Sequence, residues 1–209
     1  MTSRPVRGSL AAAVLAAAGL LASCGNQMSG MPMGEQTTTA PSTSAASAAA
    51  DFNDADVAFT QMMIPHHEQA VAMSDMVLSK DGLNADVRTL ATQVKDAQQP
   101  EIETMRGWLT AWGQRPTPES TDGDMGGMDH GGDDGMATAK QMQQLMKADT
   151  ATCQKMYLEM MIAHHQGAIR MARDEISAGR NAQAVELARR IDTTQQAEIT
   201  QMTNLLGQL

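Results

Sequence analysis

Apolar residues recur at alternating spacings of four and three in separate stretches of the chain, and each such stretch predicts a helix. In the first, Phe59, Met63, His66, Ala70, Met73 and Val77 draw one stripe down a helix. Leu90, Val94, Gln98, Glu101, Met105 and Trp112 do the same in the second. Two further stretches with the same periodicity follow in the C-terminal half. Asp81-Gly82 and Gly179 break the chain within each pair, and loops that short force antiparallel neighbours. A short extra helix around Thr138 to Lys147 precedes the third. Pro65 and Pro100 fall inside the first pair, where each removes an i−4 hydrogen bond and favours a bend.

The two pairs are copies of one unit. Phe59 to Met73 reads FTQMMIPHHEQAVAM, and Tyr157 to Met171 reads YLEMMIAHHQGAIRM, an offset of 98. At an offset of 97, Leu90, Ala91, Gln98, Glu101, Ile102 and Met105 match Leu187, Ala188, Gln195, Glu198, Ile199 and Met202. A duplicated pair of helices predicts an all-α four-helix bundle built from two hairpins. Hairpin 1 is expected over about 53–113 and hairpin 2 over about 137–207, within a domain spanning 51–209.

The flanking segments carry no such periodicity. Arg4 and Arg7 precede an Ala-rich apolar run from Leu10 to Leu21, too short to span a bilayer as a folded helix. The run ends in Leu-Ala-Ser-Cys, which resembles a bacterial lipobox. Residues 1–23 are therefore expected to be a lipoprotein signal peptide, and Cys24 the lipidated first residue. Loss of Arg4 and Arg7 takes the net charge from −9 to −11. Cys153 is left without a disulfide partner. Residues 24–50 read as a disordered tether that includes Met28, Met31 and Met33. Between the hairpins, 114–136 is a Gly- and Asp-rich linker bearing Met125, Met128, His130 and Met136.

Composition sharpens this picture. Only 2% of the residues are aromatic, which argues against a β-sandwich and leaves few platforms for stacking nucleobases. The negative charge argues against a phosphate backbone as partner, so no nucleic acid is expected. The residue type in excess is Met, with 19 copies.

Met and His together suggest metal chemistry. Met62, His66 and Met73, and their counterparts Met160, His164 and Met171, set thioether, imidazole and thioether along one side of a helix over about three turns. His67 and His165 point roughly 100° away, towards a neighbouring helix or the solvent edge. Met63 and Met161 adjoin this set, and in the third helix the stripe extends through Met156 to Cys153. Thioether, thiolate and neutral imidazole select soft ions, chiefly Cu(I), and by the same softness Ag(I). Met125, Met128 and His130 could wrap such an ion on the linker. Binding is expected to weaken on acidification as His titrates near roughly 6.5.

Glu101 and Glu198 stand on otherwise apolar stripes, where a carboxylate needs a partner. Each either pairs with a His to fix hairpin register, holds an imidazole in one tautomer, or ligates metal directly. Gln98 and Gln195 could act similarly but more weakly.

The doubled MMIxHH motifs, each followed by a Q-x-x-E-I-x-x-M helix, resemble the domain of unknown function 305 family. The resemblance covers about 51–112 and 136–206. It implies a ferritin-like four-helix bundle, commonly exported and often lipid-anchored, with some members similar to periplasmic copper-binding proteins. Carried over by position, it points at His66, His67, His164 and His165 with their flanking Met.

Three functions follow as expectations. The first is a lipid-anchored extracytoplasmic protein that sequesters or transfers Cu(I) or Ag(I), with the membrane, soft ions and a metal-delivery protein as candidate partners. The second is a structural or partner-binding envelope lipoprotein whose His and Glu satisfy one another. A di-iron oxidase is disfavoured, because neither Glu68 nor Glu159 has the Glu-x-x-His spacing that chemistry needs. No nucleophile triad, phosphate loop or CxxC pair suggests an enzyme.

Overall fold

The computed structural model describes residues 51–116 and 134–209. Its helices are α1 (Asp54–Leu78), α2 (Ala85–Ala111), α3 (Ala139–Lys147), α4 (Thr150–Ala178) and α5 (Ala182–Leu206). No strand occurs among the described residues. The fold is the expected all-α bundle of two duplicated hairpins, α1–α2 and α4–α5, with the short α3 leading into the second. Pro65 and Pro100 lie inside α1 and α2, both of which run through as single helices.

Each helix starts on a side chain suited to its free N–H groups. Asn53 and Asp56 form a reciprocal capping box on α1, and Thr138 and Gln141 do so on α3. Asn84, Asp149 and Asn181 cap the other three. A cap contributes about 1 kcal/mol. A fully buried side chain such as Leu90, Met105 or Leu187 contributes about 1.5–3 kcal/mol. Packing therefore holds the helices in place, and capping sets where they begin.

Helices α1 and α4 form the inner pair; α2 lies on α1, α5 lies on α4, and α2 and α5 barely meet. The core is divided into two apolar clusters. One gathers Phe59, Met63, Met105, Trp108, Ala172 and Leu187; the other gathers Met73, Leu90, Val94, Tyr157, Met161 and Met202. The first cluster takes the N-terminal part of α1 and the C-terminal part of α4, so the inner helices are antiparallel. The aromatic rings Phe52, Trp112 and Trp108 stack in series at the first cluster, with centroids 4.9 and 6.0 Å apart.

Polar ties join the hairpins at both ends. At one end the Asp56 carboxylate accepts from the backbone N–H of Arg180 and Asn181, and Asn53 donates to the Ala178 carbonyl. At the other, Lys80 donates to the Met146 and Ala148 carbonyls, and Thr150 to the Asp81 carbonyl. Two inner helices fixed at both ends hold whatever lies midway along them in register.

Candidate metal centre

Midway along the bundle the two apolar clusters are separated by a polar layer. His66 and His67 follow Met63 and precede Ala70 on α1, and His164 and His165 lie between Met161 and Ala168 on α4. Gln98 and Glu101 stand between Val94 and Met105 on α2, and Gln195 and Glu198 between Ile191 and Met202 on α5. The duplicated sequence thus contributes the same four positions from each repeat. All four His are buried to 1% exposure or less.

The outer imidazoles are paired. His67 Nε2–H donates to Glu101 Oε2 at 2.8 Å, and His165 Nε2–H to Glu198 Oε2 at 2.7 Å. A carboxylate on Nε2 fixes the tautomer and leaves Nδ1 with its lone pair. The inner imidazoles meet each other: the His66 and His164 ring centroids are 3.6 Å apart at 35°. His66 Nε2–H also donates to the Asp134 carbonyl at 2.9 Å. Its Nδ1, the Nδ1 of His67 and His165, and both nitrogens of His164 have no protein partner. Gln98 and Gln195 are buried with unpaired amide atoms and make no hydrogen bond to a His.

Burial is the main force on these rings. It takes the pKa of His66 from 6.5 down to about 3, helped by His67, His165 and Arg170 and opposed by the Asp134 hydrogen bond. Burial likewise lowers His164 well below 6.5, and lowers His165 against the opposing pull of Glu198. For His66, His164 and His165 the expected titration near 6.5 gives way to a lower one. A buried imidazole stays neutral because its charged form is poorly solvated. Neutral imidazoles with free lone pairs are ligands for soft and borderline ions without competition from protons. An unpaired buried polar atom costs about 1–3 kcal/mol. This layer therefore carries donor capacity that the fold itself does not use.

The thioethers are more scattered than the stripe predicts. Met62 is 46% exposed, whereas Met73 is wholly buried among apolar side chains. Met63 and Met161 are core residues of the two clusters, and Met156, Met160 and Met171 are half-buried against them. Cys153 is free and buried, and burial raises its pKa. It is a thiol and not the expected thiolate. Cys24, Met28, Met31, Met33, Met125, Met128 and His130 lie outside the described residues. Among the described residues, no three His, Cys, Asp or Glu side chains converge as a ligand set. The donors that do converge are the imidazoles of the inner pair.

The sequence reading missed three features: the Asp134 carbonyl on His66, the close contact of His66 with His164, and a buried Glu175 beside Asp56. For Glu175 a signal existed, since Ala168, Ala172 and Glu175 continue the α4 stripe at spacings of four and three.

The model of a family described as a domain of unknown function, DUF305, matches residues 56–206. The crystal structure of a DUF305 fragment from Deinococcus radiodurans is 30% identical, with 75% of this chain and 98% of that one covered and a TM-score of 0.66. A putative secreted DUF305 protein from Streptomyces coelicolor is 32% identical, with 74% and 93% covered and a TM-score of 0.66. CopM in its Cu(I)-bound form is 28% identical, with 73% and 96% covered and a TM-score of 0.58. No curated protein matches the chain. By the span of the family match and the shared two-hairpin bundle, this chain belongs to the DUF305 family.

Proposed function

We propose that the protein binds a soft metal ion, Cu(I) or Ag(I), as cargo to be sequestered or handed on. The observation that carries this reading is the inner His pair. His66 and His164 are buried and neutral, and offer three imidazole nitrogens without a protein partner between two apolar clusters. Neutral nitrogen donors in an apolar surround suit Cu(I) and Ag(I) better than Mg or Ca, which need gathered oxygens. His67 and His165, held by Glu101 and Glu198, flank the pair and offer Nδ1. Met62 is the exposed thioether one turn before His66. The likeness to CopM, solved with Cu(I), Cu(II) and Ag, supports the same class of ion.

The protein acts by binding, not by catalysis, and is exported. Cys24 carries a lipid that anchors it to the outer face of the membrane. The lipobox-like run supports the lipid, and the likeness to a putative secreted relative supports export. No described helix is long and apolar enough to cross a membrane.

Titration with Cu(I) under reducing conditions, against a competing chelator, tests the reading on the chain from Gly25 onward. One or more equivalents retained against the chelator is the expected result. Retention no better than that of an unfolded Met-rich control would sink it. The two His–Glu pairs favour a second reading, in which the polar layer only sets hairpin register. That reading predicts no retention and a large loss of stability when the His–Glu pairs are removed.

A further inference from the structure

Residues 134–137 cross the inner His pair, and the two repeats differ where they cross. Gln69 and Gly167 are equivalent positions of the duplicated motif at the offset of 98. On α1, the Gln69 side chain grips the crossing segment at both of its amide atoms. Its Nε2 donates to the Ala137 carbonyl at 2.8 Å, and its Oε1 accepts from the Ala137 N–H at 2.7 Å. On α4, Gly167 leaves the segment room. A Cβ there would lie 1.5 Å from the Asp134 carbonyl oxygen. Gly135, at φ +75°, sits over the Ala163 carbonyl, where a Cβ would fall 2.1 Å from the oxygen. The Asp134 side chain accepts from the Met136 N–H at 3.1 Å and shapes the turn. One repeat holds the segment and the other makes way for it.

The segment pins the ring beneath it. The Asp134 carbonyl occupies His66 Nε2–H, and the His66 ring lies tilted against His164 with centroids 3.6 Å apart. Two imidazoles sharing one ion need metal–nitrogen bonds of about 2 Å on each side, which separates their ring centres by more than the 3.6 Å between these two. The rings must part to share an ion. His66 cannot swing away while Asp134 holds it.

We propose that residues 134–137 are a latch over the His66–His164 pair, gripped by Gln69 and seated on Gly167, that must lift before an ion reaches the two imidazoles. The cargo in this statement rests on the soft-metal reading above, but the closure does not. The latch sets the rate of loading and release. Capacity is set by the ligands beneath it.

The test uses Gly167→Ala, which places a methyl where the Asp134 carbonyl sits, and Gln69→Ala, which removes both hydrogen bonds to Ala137. The first readout needs no metal: diethyl pyrocarbonate labelling of His66 and His164 in the apo-protein, located by mass spectrometry. Wild type should label slowly, and each variant faster by on the order of tenfold, from the lost hydrogen bonds or the lost seat. The second readout is the rate of Ag(I) uptake, expected to rise in parallel with stoichiometry unchanged. Circular dichroism identifies a variant that has merely unfolded, and Gln69→Ala, at a half-buried position, serves where Gly167→Ala fails to fold. Wild-type labelling as fast as in urea, or equal labelling in folded wild type and variants, overturns the latch. Faster labelling supports it whether or not silver binds; no Ag(I) binding by any of the three proteins overturns the metal reading instead.

Discussion

Glu175 places its buried carboxyl group beside the buried carboxylate of Asp56, and neither Glu175 oxygen has a hydrogen-bond partner there. Asp56 already accepts from the N–H groups of Asn53, Arg180 and Asn181. Glu175 has no such donor on either oxygen. Burial, then the neighbouring Asp56 carboxylate, raise the Glu175 pKa from 4.5 to about 8. Between those values the folded chain holds a proton that the unfolded chain has released. Stability should therefore be full below 4.5, fall as pH rises, and level off above about 8. The lowered His66 and His164 act oppositely, but only below 6.5. From pH 6.5 to about 8 the melting temperature should fall. Glu175→Gln keeps an N–H donor and cannot ionise, so its profile should be flatter there. An equal slope in both proteins would remove the Glu175 proton as the cause.

Replacing His66 and His164 together by Ala should abolish most of the Cu(I) capacity while helicity at 222 nm persists. The helices are held by the apolar clusters on either side of the layer, which contain neither ring. Removing two imidazoles leaves a cavity but also removes buried nitrogens that had no protein partner. Isothermal titration beside urea melts separates the two effects. Intact capacity with collapsed stability would make the pair structural.

The His–Glu pairs make a different prediction. Glu198→Ala leaves His165 Nε2–H buried without an acceptor, at a cost of about 1–3 kcal/mol in urea unfolding. Glu101→Ala should cost less, because Glu101 is 23% exposed against 13% for Glu198, and water can replace it more readily. Long-range nitrogen–proton NMR should find His67 and His165 as Nε2–H tautomers in the wild type. Nδ1–H tautomers, or no cost in either variant, would count against the pairs as fixers of the rings.

Periodicity made the helices, the duplication and the polar layer legible. A stripe names which positions face inward, and His66, Gln98, Glu101 and their repeats stand on stripes. A Glu–His pair was one reading of Glu101, but the stripe carries His66, and the His67 that Glu101 meets lies off it. The Asp134 contact was not legible, because 68 residues separate it from His66 and residues 134–137 lie in a loop without a period. Gly167 was the available hint: a glycine inside a long helix, where its repeat carries Gln69, marks a close approach. Met62 shows a further limit. It lies one turn before His66 on the same side of α1, yet it is 46% exposed while His66 is buried, so angle alone does not set exposure.

Met62 and Met73 separate packing from ligation, because the same residue type stands in opposite surroundings. Met73 is wholly buried in the second cluster, so Met73→Ala should destabilise by about 2–5 kcal/mol through the cavity it leaves. Met62 is 46% exposed, and Met62→Ala should stay within about 0.5 kcal/mol. Leucine then isolates the sulfur, since it nearly conserves volume and donates nothing. Met73→Leu should leave both stability and Ag(I) affinity near wild type. Met62→Leu should leave stability alone and weaken Ag(I) binding, because an exposed thioether beside His66 has no packing role to explain it. Competition titrations with silver on the two Leu variants read this directly. Unchanged affinity in Met62→Leu would confine the site to imidazole, and a loss in Met73→Leu would make the buried thioether the ligand.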